Sequence, residues 1–339
     1  MVINMKDFAG KVCFITGGAS GAGFGQAQIF SEAGMKVVIA DIRQDHIDEA
    51  AEYFKGKDAE VHFIKLDVTD REGWAAAAEE TERVFGATPE LLILTAGVNT
   101  FGPVEASTFE DFDWVIGVNL FGVINGLVTF VPRMIKAGKG GYIAATVSGA
   151  AFGGNAVVAP YSASKAAVLN LMESYYLALK QYGIGVSTLL PANIKSRIYD
   201  AALKTRPEHL KNTGYNVSEE TSEFLGKTHQ FGMEPRLLAE RLKKGIEDGI
   251  FLIIPYPSAV RMVEMDFAEK WPLYASVEGM KELEERRTRP PTEEQRRIFL
   301  EREGHEMGKG GLRTGEADVV GFGKARKDID WVPENRRAK

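Results

Sequence analysis

Residues 11–25 read KVCFITGGASGAGFG, and the junction they form decides the fold. Residues 11–16 are mostly apolar and partly β-branched, which suits a strand buried on both faces. Glycines then crowd the next nine positions. A chain that turns sharply from strand to helix needs residues without Cβ, so that the backbone can approach closely or adopt positive φ. The following helix, read over 25–33, would turn its free N–H groups and the positive end of its dipole toward a phosphate. Placed between a strand and a helix, the stretch reads as a dinucleotide cradle with Gly17, Ser20, Gly21 and Gly23 at the cofactor.

Outward from this junction, short apolar runs recur at 36–41 (KVVIAD), 61–67 (VHFIKLD), 91–96 (LLILTA), 142–147 (YIAATV) and 184–190 (IGVSTLL). Stretches long enough for helices separate them, such as 44–55 and 70–85. That alternation implies right-handed crossovers and an α/β sheet with helices on both faces. A seventh run, 250–255 (IFLIIP), follows a segment too long for a plain connection, so 192–249 is expected to contain a substrate-covering insertion. Residues 7–255 are therefore read as one catalytic domain. Beyond it, roughly 34 of the last 84 residues are charged, evenly in sign, with a glycine-rich stretch near the end. This extension, 256–339, is read as a surface arm, docked by Val260, Val263 and Phe267 and carrying Trp271, Tyr274, Phe299 and Trp331. The Arg286-Arg287-Thr288-Arg289 cluster reads as a solvated helix end or subunit contact before an anion site.

The 339 residues, 45% hydrophobic and 26% charged, are those of an ordinary globular protein. A net charge of −6 argues against nucleic acid as the main partner, since phosphate backbones need a basic surface. The single cysteine, Cys13, sits in an apolar run and reads as a buried hydrophobe. The N-terminus lacks a signal-like apolar stretch and no run approaches roughly 18 apolar residues, so a cytoplasmic protein without a membrane partner is expected. His209, His229 and His305 lack metal-ligand spacing, and no metal is expected.

Asp41 ends the second strand, 18 residues after Gly23, where a carboxylate can accept hydrogen bonds from the adenosine ribose. Its charge would repel a 2′-phosphate, which favours NAD over NADP, although Arg43 could soften that preference. Asp67 could meet the adenine edge or cap the helix that follows. Tyr161 and Lys165, four residues apart, share one helix face, where an ammonium can favour the phenolate. Ser148 lies 13 residues earlier, just past a strand, within reach of the same substrate oxygen.

The glycine motif, Asp41, Asn119, Ser148, Tyr161 and Lys165, in this order and spacing, resemble the short-chain dehydrogenase/reductase family over about residues 7–255. The resemblance implies a Rossmann-type, doubly wound, parallel seven-stranded sheet. It implies that Tyr161 exchanges the proton with the substrate oxygen, that Ser148 polarises that oxygen, and that Lys165 holds the nicotinamide ribose and lowers the tyrosine pKa. Asn119 would anchor a proton-relaying water chain. It further implies cofactor contacts from Asp67, Val68, Ala96, Gly97, Pro191 and Ile194, with hydride passing directly between substrate and nicotinamide. Two departures stand out: Leu94-Thr95-Ala96-Gly97 replaces the usual Asn-Asn-Ala-Gly, which bears on bracing of the sheet, and Ala192 replaces the glycine after Pro191.

A narrower resemblance is carried by ITGGASGAGFGQA, TAGVNTFGPVE, FDWVIGVNLFGVINGLVTFVPRMI, PANIKS and IIPYP. These runs look like the bacterial Cα-dehydrogenases of lignin β-aryl ether breakdown, which implies oxidation of a secondary benzylic alcohol to its ketone. Phe101 and Phe152 are the expected substrate contacts, with Tyr199, Tyr215 and Phe231 as further candidates. Trp114 and Phe130 lie on helices that pair between subunits in the family, which implies a homodimer or homotetramer. Two alternatives stay open: a reductase of acyl, steroid or sugar ketones, and an NAD-loaded regulator without chemistry, which should lack the tyrosine or lysine present here.

Overall fold

In the computed structural model the described residues are 2–211, 215, 223, 226–227, 229–256, 278–279, 281–282, 285 and 293. Strand β1 (Val12–Thr16) is buried along its whole length and lies between β2 (Lys36–Asp41) and β4 (Leu91–Leu94), with Cys13 opposite both Val37 and Leu91. Outside β2 lies β3 (Val61–Lys65). Outside β4 follow β5 (Gly141–Thr146), β6 (Ile184–Leu189) and β7 (Leu252–Ile253), all parallel. The order β3-β2-β1-β4-β5-β6-β7 makes the chain reverse direction between β1 and β4, which opens a crevice at the carboxyl ends of those strands.

The pleat divides the strand side chains between two cores. Cys13, Ile15, Val37, Ile39, Leu91 and Ile93 face α1 (Gly21–Glu32), α2 (Gln44–Phe54) and α7 (Pro235–Asp248). Phe14, Val38, Leu92, Leu94 and Ile143 face α3 (Arg71–Phe85), α5 (Gly122–Ala137) and α6 (Ala159–Leu179). Each fully buried large apolar side chain contributes about 1.5–3 kcal/mol, so apolar burial is the main term holding helices to both faces.

Several expectations shift. Helix α1 starts at Gly21, four residues earlier than the sequence suggested, because packing overrides the poor helix propensity of Gly21 and Gly23. Strands β3, β4 and β6 end sooner than read, and the residues released from the sheet build the loops of the crevice. The stretch 192–249 is not all insertion: it ends in α7, whose Leu238, Ala239, Leu242 and Ile246 form an apolar stripe against α1. The domain also begins before residue 7, since Met5 is buried and its N–H donates to the Ile246 carbonyl at 3.3 Å.

Trp114 and Phe130 are core within one chain, 3% and 0% exposed, and not interface as the resemblance implied. Helix α4 (Phe109–Ile116) runs through a π turn (Gly117–Phe121) into α5, and this continuous helix is long and apolar enough to cross a membrane by length and composition. The sequence reading underestimated it because Asn119 and Asn125 interrupt the run. Its buried side packs on the sheet, with both asparagines turned into polar contacts there. The extension with its apolar and tryptophan anchors, and the Arg286–Arg289 cluster, lie outside the described residues.

Candidate active site

The phosphate cradle is built by close backbone approach. Gly17 has φ of +62°, and a Cβ there would lie 2.8 Å from the Ala96 Cα; a Cβ on Gly23 would lie 2.1 Å from the Gly17 carbonyl oxygen. Neither position accepts a side chain. Ser20 is extended and makes no capping bond to α1, whose first turn carries no acidic residue. Among the described residues, no side-chain acceptor is supplied for the leading N–H groups of α1.

Beside the cradle, Asp41 is buried, accepting from the Ala19 N–H at 3.2 Å and the Arg43 N–H at 3.1 Å. Burial raises its pKa, and these amide hydrogen bonds act against that rise. The segment after β6 closes the other side, with Ser196 against Gly21 and the Pro191 carbonyl accepting from the Gly149 N–H at 3.2 Å. A close-packed turn, an uncapped helix start and a buried carboxylate together fit a dinucleotide.

Other predicted contacts differ in use. Asp67 is exposed and folds onto its own chain, accepting from Thr69 N–H at 2.9 Å and Thr69 Oγ1 at 2.7 Å. The cap of α3 is Asp70, which accepts from the Glu72 N–H at 3.0 Å. Val68 is buried, and its carbonyl accepts from Trp74 Nε1 and Asn125 Nδ2. Ile194 pairs with Met233 in an isolated bridge.

Thr95, where the family often has asparagine, does the bracing with a hydroxyl. It lies 2.8 Å from both Gln26 Oε1 and Thr146 Oγ1, while Thr16 Oγ1 accepts from the Thr95 and Ala96 amides at 3.0 and 3.1 Å. Sequence reading missed this network because none of its members is a catalytic residue type. Asn119, fully buried in the π turn, accepts from the Val98 N–H at 2.8 Å and donates to the Val98 carbonyl and Ser164 Oγ, both at 3.0 Å. It therefore fixes the loop after β4 to α6; π turns of this kind often mark functional sites.

On α6, Tyr161 and Lys165 stand one turn apart, and Pro160 in the first turn sets the helix start. Burial raises the Tyr161 pKa, and the Ser148 hydroxyl beside its phenol acts against that rise. Lys165 is 4% exposed, donates to the Thr146 carbonyl at 2.9 Å and has its Nζ 5.6 Å from the Tyr161 ring centre. Burial brings its ammonium down to about 8. A Cβ on Gly97 would lie 3.3 Å from Asn119 Oδ1 and 3.5 Å from Lys165 Nζ, so the four candidate catalytic residues and the loop after β4 meet in one place.

Tyr161 packs against a third apolar cluster, formed by Val98, Trp114, Val115, Ala201 and Ala202, with Val118 and Leu210 also beside it. Residues 198–211 are held over it by Arg206, which pairs with Asp111 at 2.8 Å while both side chains are almost fully buried, and which lies 5.1 Å from the Trp114 ring centre. Sequence reading did not single out this pair, because 95 residues separate its members. Phe152 packs on the core beneath the Ser148 turn and Phe101 is partly buried. Tyr215 is buried against Gly102, Tyr199 lies near His229 and Phe231 is half exposed.

The pattern described as short chain dehydrogenase matches residues 11–207. A C alpha-dehydrogenase of Sphingobium sp. strain SYK-6 is 53% identical over 263 residues, 78% of this chain and 86% of its own. The apo crystal structure of LigD from the same strain has a TM-score of 0.64 and 43% identity, over 84% of this chain and all of that one. A short chain dehydrogenase/reductase of Burkholderia phymatum, solved in complex with NAD, has a TM-score of 0.72 and 29% identity, over 85% of this chain and 99% of that one.

Proposed function

The chain belongs to the short-chain dehydrogenase family and is an oxidoreductase of a small-molecule substrate with a nicotinamide cofactor, and we propose that it is a cytoplasmic, NAD-dependent enzyme that oxidises a secondary benzylic alcohol of a lignin-derived aryl ether to its ketone. The observation that carries the reading is the convergence of Ser148, Tyr161 and Lys165: Tyr161 packs on an apolar cluster with the Ser148 hydroxyl beside its phenol, and the Lys165 Nζ lies 5.6 Å from its ring centre. A bound nicotinamide supplies hydride acceptance. Ser148 holds the substrate oxygen, and Tyr161 takes the hydroxyl proton at its phenol oxygen. Lys165 keeps a positive charge near that oxygen, which favours the phenolate. Asn119 positions the loop after β4 and would anchor the relay that carries the proton out.

The apolar cluster of Val98, Trp114, Ala201 and Ala202 beside Tyr161 favours an aryl group over a sugar, whose hydroxyls would find no partners among those side chains. Incubating the protein with NAD and a panel of aryl, steroid, acyl and sugar alcohols tests the substrate class. Turnover confined to the non-aromatic members would overturn it.

Asp41 supports NAD, since a buried carboxylate beside the cradle opposes a 2′-phosphate. Asp41→Ala should weaken NAD by about 10–100-fold, the range of one charge-assisted hydrogen bond, and narrow the gap to NADP. Part of that loss belongs to the Ala19 amide left without its acceptor. Comparable kcat/KM for both cofactors in the wild type would place the discrimination elsewhere.

A homodimer or homotetramer is supported by apolar side chains left open on the π turn, α5 and α6. Phe121, Val128 and Leu177 are 46%, 63% and 66% exposed. Val128→Asp should yield a smaller species by size exclusion with light scattering, because a carboxylate in an apolar contact is costly to desolvate. An unchanged mass would show that α5 is not the contact.

A further inference from the structure

Arg43 stands two residues beyond Asp41 and is joined to it, because its own N–H donates to the Asp41 carboxylate at 3.1 Å. A guanidinium here would ordinarily welcome a 2′-phosphate. In this chain its three nitrogens are all engaged. Nε donates to Asp45 Oδ1 at 3.0 Å and Nη2 to Asp45 Oδ2, while Nη1 donates to Asp200 Oδ1 at 3.1 Å and Oδ2 at 3.3 Å.

The two carboxylates are not equivalent. The Asp45 side chain is 57% exposed and lies on the same turn, where solvent screens the pair and its contribution is small. The side chains of Arg43 and Asp200 are only 15% and 18% exposed, and the two residues are 157 apart in sequence. The Ile198–Asp200 turn that carries Asp200 is tied to α2 a second time by Arg197, which grips Glu49 with contacts at 3.1 and 2.8 Å. A phosphate reaching Arg43 would have to displace a carboxylate that the tertiary structure holds in place. His46, the neighbouring titratable group, is buried, and its imidazole is pushed below its ordinary value by that burial and by Arg43, so it adds no compensating cation at neutral pH.

We infer that Asp200 is a specificity-determining residue: it holds the Arg43 guanidinium and so withholds it from a 2′-phosphate, which reinforces the preference for NAD. The inference rests on the NAD reading above and adds a second carboxylate, from a distant segment, to Asp41.

The test is binding, followed by the fluorescence of NADH and NADPH titrated with the full-length chain. Asp200→Asn should improve the ratio of NADPH to NADH affinity by about 5–10-fold, the weight of one charge-assisted contact. Asp200→Glu should retain most of the wild-type ratio, because the charge can still reach Arg43. Adding Arg43→Ala to Asp200→Asn should abolish the gain. An unmoved ratio in Asp200→Asn, or an equal gain with Arg43 removed, would overturn the assignment. Wild-type protein that binds NADPH as tightly as NADH would overturn the NAD reading and this inference together, and that result is read before any variant is made.

Discussion

Tyr161→Phe is expected to lose turnover by about 10²–10⁴-fold, the weight of general acid–base catalysis, and to keep its nicotinamide cofactor affinity. The phenyl ring still fills its place among Val98, Trp114 and the Ala201-Ala202 pair, so the apolar cluster survives the change. The cradle at Gly17 and Gly23 and the Asp41 carboxylate depend on β1, β2 and α1 and do not touch residue 161. What disappears is the oxygen proposed to exchange the proton, which lies beside the Ser148 hydroxyl. Steady-state rates and a cofactor titration on the same preparation separate chemistry from binding. A variant that turns over near the wild-type rate would remove Tyr161 from the acid–base role.

Lys165→Met should move activity and stability in opposite directions. Activity should fall by about 10²–10³-fold, because the positive charge that favours the Tyr161 phenolate is gone. Stability at pH 7 should rise. Burial depresses the Lys165 ammonium from its usual value to about 8, so its charged form is less favourable folded than unfolded. Between the folded value and the unfolded one the unfolded chain binds more protons, hence wild-type stability climbs as pH rises through about 8 to 10. Methionine, with a similar length and no charge, carries no such penalty at any pH. Loss of the hydrogen bond to the Thr146 carbonyl offsets about 1 kcal/mol, which leaves a net gain of about 1–2 kcal/mol at pH 7. Thermal unfolding of both proteins at pH 7 and pH 9.5 checks this: the advantage of the variant should shrink at the higher pH. A variant less stable than wild type at pH 7 would mean that the Thr146 contact outweighs desolvation of the ammonium.

Taken by itself, the amino-acid sequence determined the sheet and marked out the candidate site. Runs such as KVCFIT and LLILTA can only be buried on both faces, and alternation with helix-length stretches leaves little besides a doubly wound sheet. The cradle was legible because glycine is demanded locally, by backbone sterics within a few residues. Ser148, Tyr161 and Lys165 were legible as candidates because their order and spacing, together with the glycine motif, Asp41 and Asn119, resemble a family pattern.

Only the tertiary structure decided how these parts are supported. The Thr16–Thr95–Gln26–Thr146 network, the Asn119 brace to Val98, the buried Arg206–Asp111 pair and the Arg43–Asp200 pair all join residues distant along the chain. Such pairs leave no periodic trace, since ordinary threonines, arginines and aspartates serve them. The π turn at Asn119 and the role of α7 as a core helix were hidden for a related reason. Both depend on which face of a helix meets the sheet, and that is fixed only when the layers pack. Charge type and local spacing name the groups that react; long-range packing chooses which charges are spent on one another and which are left for the ligand.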